Sequence, residues 1–247
     1  MIDKRLLKLN FKTFTSAIAD LALPRVCVVC GQGLMPEERH ICLECLADLP
    51  LTRFSAMSHN PMADLYNARI DADFYQYATA LFYYSATSPY RKITQALKYH
   101  RDFGAGRMFA RMLGEELRAS GLYADVDLVV PVPLHWTRRL RRGYNQAEII
   151  AREVASALGA RMDSRALRRV RRTATQVRLT GKDRAANLAG AFRAASSPAL
   201  AGAHHVLLID DVFTTGATLA ACYDALRQHI PPEKRISIAT LGFVQNG

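Results

Sequence analysis

Two groups of residues in this chain have types and spacing that suit chemistry. The first is VLLIDDVFTTGATL, residues 206–219, where four aliphatic residues lead into Asp210 and Asp211, followed by Thr214, Thr215, Gly216, Ala217 and Thr218. Gly216 allows a backbone turn closed to other residues, and the amides of 214–218 would then point outward at the positive end of a following helix. That is a cradle for an anion, most naturally phosphate. A phosphate beside Asp210 and Asp211 would be repelled, so the carboxylates should face sugar hydroxyls, or a magnesium ion carried with the ligand. Phosphate, polyol and metal together describe a phosphorylated sugar. An ordinary capped helix needs one polar residue there, not a series. A P-loop is excluded, because no Gly-Lys-Ser/Thr follows a glycine-rich turn.

The second group is cysteine. CVVC supplies Cys27 and Cys30, CLEC supplies Cys42 and Cys45, and eleven residues separate the two pairs. Tetrahedral zinc needs four thiolates converging on one point, and two tight knuckles joined by a short loop provide them. A redox motif would need only one such pair. Zinc held by four thiolates has no open position for substrate, so its role is structural. His40 stands close enough to substitute as a ligand, although a surface histidine is the simpler reading.

These residues need elements to position them. The apolar run 206–209 reads as a parallel strand covered on both faces, and 219–229 as a helix with Leu219, Tyr223, Leu226 and Ile230 at helical spacing. Ligands in open α/β sheets bind at the carboxyl ends of strands, where 210–218 would then lie. DLVVPV, residues 127–132, is a second buried strand, and a helix begins near Asn145. Between them Arg138, Arg139, Arg141 and Arg142 fall in what reads as a strand-to-helix loop. ATALFYYS, residues 78–85, is another strand. Residues 91–117 turn helical with a break at DFGAG, which makes LKYHRDFG, residues 97–104, a candidate rim loop or a plain turn.

Charge is concentrated. The chain has 247 residues, half of them hydrophobic, and a net charge of +11. Residues 138–193 hold fifteen Arg or Lys against four Asp or Glu, which equals the whole excess. Solvated faces usually mix signs, so a one-sign block attracts polyanions, here pyrophosphate or nucleic acid. Trp136 and Tyr144 offer stacking faces among the arginines for single-stranded DNA. No stretch approaches the ~20 apolar residues of a membrane span, and the start lacks the apolar core of a secretion signal, so a cytoplasmic protein is expected. Residues 1–23 read as an amphipathic helix with Leu7, Phe11, Phe14, Ile18 and Leu21 on one face, packed on protein or lying on a membrane surface.

Residues 206–218 resemble the phosphoribosyl pyrophosphate (PRPP) motif of type I phosphoribosyltransferases. With the four-cysteine module, RRGYNQ, and Gln176, Leu179, Arg184 and Asn187 ahead of GAF, the chain from about 24 to 243 resembles the ComF family (competence protein F, GntX-like). One departure is Arg101, where that family often has glycine. The resemblance implies an α/β fold of parallel sheet and flanking helices, with a zinc-ribbon-like module at 24–50 and a phosphoribosyltransferase-like domain at 51–247. It implies that Asp210 and Asp211 hold ribose hydroxyls while Thr214, Thr215, Gly216, Ala217 and Thr218 wrap the 5′-phosphate. Arg138, Arg139, Arg141 and Arg142 would bind pyrophosphate or another polyanion, and a mobile loop would carry Gln176, Arg184 and Asn187. PRPP would arrive with magnesium. The implied role is DNA uptake or utilisation alongside other uptake proteins, with pentosyl transfer to an acceptor that the sequence does not specify. Threonine at 214, where 6-oxopurine transferases carry an aspartate base, argues against purine salvage. The alternative is a non-catalytic accessory protein that binds single-stranded DNA through 138–193.

The charge block generates a prediction. Binding to single-stranded DNA should weaken steeply with salt, with a log–log slope of about 0.7 per neutralised phosphate. Alanine at 138, 139, 141 and 142 together should flatten that slope; wild-type protein that ignores DNA at low salt would leave these arginines to pyrophosphate alone.

Overall fold

The computed structural model describes residues 25–245 except 86, 101, 172–187, 189 and 196–197. Gln176, Arg184, Asn187, Arg101 and the amphipathic stretch 1–23 lie outside the described residues, as do the side chains of Arg138 and Arg141. The chain divides into two compact units, one ending at Leu49 and one beginning at Pro50.

In the first unit, Val26 and Gly33 form an antiparallel bridge around the CVVC knuckle, which Gly31 closes at φ +82°. Helix α1, Leu43–Ala47, starts within the second knuckle and carries Cys45, and the Cys42 sulfur caps it by accepting from the Cys45 amide. Glu38 fixes the intervening loop, its carboxylate accepting from the amides of Met35 at 2.8 Å and Leu43 at 2.7 Å.

The second unit is α/β. In chain order it contains α2 (Pro61–Asn67), β1 (Ala78–Tyr84), α3 (Arg91–Gln95), a π-helical turn (Ala96–His100), α4 (Phe103–Ser120), β2 (Leu128–Pro131), α5 (Trp136–Arg142), α6 (Gln146–Leu158), β3 (Arg161–Met162), β4 (Leu167–Arg169), β5 (Phe192–Ala194), α7 (Pro198–Gly202), β6 (His205–Phe213), α8 (Ala217–Arg227) and β7 (Arg235–Val244). Five strands make one sheet in the order β1-β7-β6-β2-β3, all parallel, while β4 and β5 pair antiparallel beside it. Leu128, Val130, Leu208, Ile236 and Ile238 bury one face with Leu219, Tyr223 and Leu226 of α8 and Tyr66 of α2. Helices α4 and α6 cover the other face, where Phe82 meets Phe109 edge-on with ring centroids 6.3 Å apart.

Three segments differ from the sequence expectation. Strand β6 does not stop at Ile209 but pairs with β7 as far as Phe213, so the two aspartates belong to its last turns of pleat. The register with β7 is unbroken from His205 to Phe213, and Phe213 at the strand end joins the core cluster that also holds Leu208. The arginine segment 138–142 is helix, not loop: His135 caps α5 by accepting from the Thr137 amide, and Gly143 ends it at φ +83°. Within 97–104, residues 97–100 belong to the π turn and 103–104 begin α4, whose N-cap Asp102 accepts from Ala105 at 3.0 Å.

Helices α4 and α6 touch through Gly114, where an added Cβ would sit 2.6 Å from the Ala157 Cβ and 3.3 Å from the Val154 Cα. Gly114→Val should cost about 1–3 kcal/mol by forced separation of the two helices, read as a lower urea midpoint. Gly202→Ala, with nothing within 4 Å of the added atom, should leave the midpoint nearly unchanged.

Candidate functional site

The carboxyl edge of the sheet collects the residues with chemistry. At the end of β6, Asp210 and Asp211 are half-buried, and Asp210 Oδ1 accepts from the Asp211 amide at 2.8 Å. Burial, followed by the neighbouring Asp211 charge, pushes the Asp210 carboxyl up to about 7, against the pull of Lys98 and Arg169. Thr214 is exposed, Thr215 and Thr218 half-buried, Ala217 buried. Gly216 caps α8 at φ +75°, and a Cβ there would meet the Phe213 ring at 2.7 Å and 3.0 Å. The turn thus requires glycine twice over, for its backbone conformation and for the ring packed beneath it. The eleven-residue helix α8 brings its positive end to this turn.

Lys98 is the residue at this site that the sequence left as a rim or a turn. Its ammonium lies 2.8 Å from Asp211 Oδ2, with the two side chains 25% and 13% exposed. Burial alone would lower its pKa, but the Asp211 and Asp210 carboxylates leave it raised. The π turn is held in place by the Tyr144 hydroxyl, which donates to the Leu97 carbonyl, and by fully buried Leu97 against Gly106. Tyr144 also meets Phe103 edge-on at 4.8 Å, so it is a packing residue.

Beside the aspartates, a cleft of about 260 Å³ opens between the end of β2, α5 and β4. Arg139, Arg165, Arg168 and Arg169 line it with Pro133, Trp136, Asn145 and Glu148. Asn145 braces it by donating to the Val132 carbonyl at 3.0 Å and capping α6 through the Ala147 amide at 3.2 Å. Arg139 stands 3.8 Å from Glu148, and Trp136 is 63% exposed. Arg165, Arg168 and Arg169 come from the β3–β4 region, which only the basic block hinted at.

A serine–histidine–aspartate chain also exists, at the opposite edge. His205 Nδ1 lies 2.6 Å from exposed Asp125 and Nε2 2.8 Å from Ser237. With Nδ1–H donating to Asp125, Nε2 accepts from the Ser237 hydroxyl. Both His205 and Ser237 are fully buried, so this chain joins the strand starts and meets no substrate.

In the first unit, the sulfurs of Cys27, Cys30, Cys42 and Cys45 lie within 4.8 Å of one another. Tetrahedral thiolate zinc with bonds of ~2.3 Å sets its sulfurs about 3.8 Å apart, which matches the 3.8 Å between Cys30 and Cys42. Burial alone would raise the Cys27 thiol, but amides from Cys42, Cys30 and Val29 hold it down at about 6. Burial and the other three sulfurs push Cys45 far up. Four sulfurs this close have the donor set and spacing for a metal such as zinc.

The fold and the glycine turn define an α/β protein with a candidate anion site at the carboxyl edge of a parallel sheet. Curated relatives carry the description further. The chain is 37% identical over 138 residues to "DNA utilization protein YhgH" of Salmonella typhimurium, covering 54% of this chain and 59% of that one. It is 35% identical over 143 residues to "Competence protein F" of Haemophilus influenzae, covering 57% and 62%. It is 35% identical over 136 residues to YhgH of Escherichia coli K12, covering 53% and 58%. The match thus spans about three fifths of each relative's length. No family model matches the chain. These relatives support the ComF family for this chain.

Metal analysis of the purified chain should return about one ion bound by four thiolates. Cys27→Ser should release it and loosen 24–50, while far-UV dichroism shows the α/β unit still folded; protein prepared under reducing conditions without metal would rule the site out.

Proposed function

We propose that the chain is a ComF-type protein that binds PRPP, or a related phosphorylated ribose, at the β6–α8 turn, and that serves DNA uptake or utilisation in the cytoplasm with zinc as a structural brace. The observation that carries this reading is the juxtaposition at the strand end. A glycine at φ +75° opens a helix N-terminus for phosphate, and two carboxylates stand directly before it for hydroxyls. Thr215 and Thr218 flank the turn, and Asp210 and Asp211 accept from ribose. The Arg139 cleft next to them suits the leaving pyrophosphate. Magnesium would neutralise that pyrophosphate. In transfer, the C1–oxygen bond to pyrophosphate breaks as an acceptor bonds to C1, and the arginines stabilise the departing charge. No protein nucleophile is needed. The cluster of free thiols fits a reducing compartment.

A second reading, single-stranded DNA on the same basic surface, is favoured by one observation. Trp136 lines the arginine cleft while remaining largely exposed, as a stacking platform requires. The names of the relatives, DNA utilization and competence, agree with it. The DNA reading needs no catalysis, and release of pyrophosphate from PRPP and magnesium separates the two.

The turn and the carboxylates should fail differently. Asp210→Asn with Asp211→Asn keeps the turn but removes two charge-assisted acceptors, each worth roughly 1.5–3 kcal/mol. PRPP affinity should drop by orders of magnitude while inorganic phosphate still binds. Gly216→Val should abolish both, since its side chain clashes with the Phe213 ring. PRPP binding to wild type should also weaken below pH about 7, as Asp210 takes up its proton and its acceptance from a sugar hydroxyl loses the assistance of charge. Calorimetric titration with PRPP plus magnesium and with phosphate reads all of these; wild-type protein that binds neither ligand would end the phosphoribose reading.

A further inference from the structure

We infer that Lys98 is a positioning residue for the phosphate turn: its ammonium, seated on Asp211, supplies the counter-charge that lets a phosphorylated sugar bind beside two aspartates. This rests on the phosphoribose reading above and adds to it a residue outside the PRPP motif.

The problem that Lys98 meets is electrostatic. Asp210 and Asp211 are consecutive, both half-buried, and directly ahead of the turn offered to phosphate. Two negative charges and an incoming phosphate within a few residues repel one another, and partial burial strengthens that repulsion over its value in water. The helix end supplies only about half an elementary charge. A full positive charge is required nearby, and Lys98 provides one at 2.8 Å from Asp211 Oδ2. The contact occupies one carboxylate oxygen and leaves Oδ1 able to accept from a sugar hydroxyl.

The local fold is built to deliver this amine. Helix α3 passes without a break into the π turn Ala96–His100, and π turns often mark functional positions because their extra residue re-aims the side chains. Leu97, immediately before Lys98, is fully buried and would lie 2.5 Å from any Cβ at Gly106. The Tyr144 hydroxyl holds the Leu97 carbonyl, and so ties the turn to the start of α6. Two contacts therefore fix the backbone on which Lys98 stands. The nearby charged groups facing the pair are Asp210 and Arg169; Arg169 acts on Asp210 from β4 but also sits over the Phe192 ring at 5.2 Å.

The test is a charge-balance cycle on the full chain, read by calorimetric titration with inorganic phosphate and with ribose 5-phosphate. Lys98→Met should weaken phosphate about tenfold, the scale for one unpaired charge at ~10 Å and intermediate dielectric. Asp211→Asn alone should strengthen phosphate several-fold, because Lys98 then stands unopposed. The double variant should return phosphate affinity to within about twofold of wild type, and Lys98→Arg should retain it. Ribose 5-phosphate should stay weak in the double variant, since the sugar has lost an acceptor. If the double variant binds phosphate as weakly as Lys98→Met, or if Lys98→Met binds like wild type, Lys98 is only a structural tether and the inference fails, with the phosphoribose reading intact. Wild-type protein that binds neither ligand overturns both. Should Lys98→Met not fold, the gain expected in Asp211→Asn still decides, and no gain there counts against the inference.

Discussion

Two carboxylates side by side at the end of a buried strand are an electrostatic liability, and much of the second unit is arranged around it. Asp210 is burdened enough by burial and by its neighbour to titrate near neutrality, at about 7. The fold answers with a lysine on a π turn and an arginine on β4, both acting on the same pair. It also answers with geometry. Phe213, at the end of the strand, lies in the core, and its ring packs under Gly216 and sets the turn above it. A binding edge and a stable core are reconciled within six residues.

The surrounding elements follow from that edge. Parallel strands need helical crossovers, and α4 and α6 approach closely enough only because position 114 has no side chain. Their packing orients the π turn at one end and the Asn145 cap at the other, with Tyr144 joining them. The acidic pair, its lysine and the arginine cleft therefore come from four separated stretches of chain held by one helix layer. A change in that layer would be felt at the site without touching a ligand.

The first unit obeys a different economy. Its described part is small, with few large apolar side chains, and it depends on four converging sulfurs and the Glu38-capped loop between them. Amides lower the Cys27 thiol while burial and the neighbouring sulfurs raise Cys45, so the crowding that disfavours extra charge is what a bound cation would relieve.

What the sequence determined by itself is local chemistry. The apolar run before Asp210, the glycine at 216 and the two cysteine pairs could be read because strand burial, positive φ and thiolate spacing depend on a few neighbouring residues. The arginine block is legible as charge but less so as shape: 138–142 is short and lies between a strand and a longer helix, which reads as a loop, although arginine and leucine favour helix and the His135 cap and Gly143 stop bound one. Tyr144 and Trp136 look alike in sequence, and only packing separates a half-buried brace from an exposed platform. Lys98 falls in a candidate rim loop and Arg169 in the basic block, but their pairing with the aspartates lies beyond sequence, since it exists only where crossovers bring a π turn and β4 to the carboxyl edge of β6. Long-range juxtaposition of charge is a property of topology, and no local pattern records it.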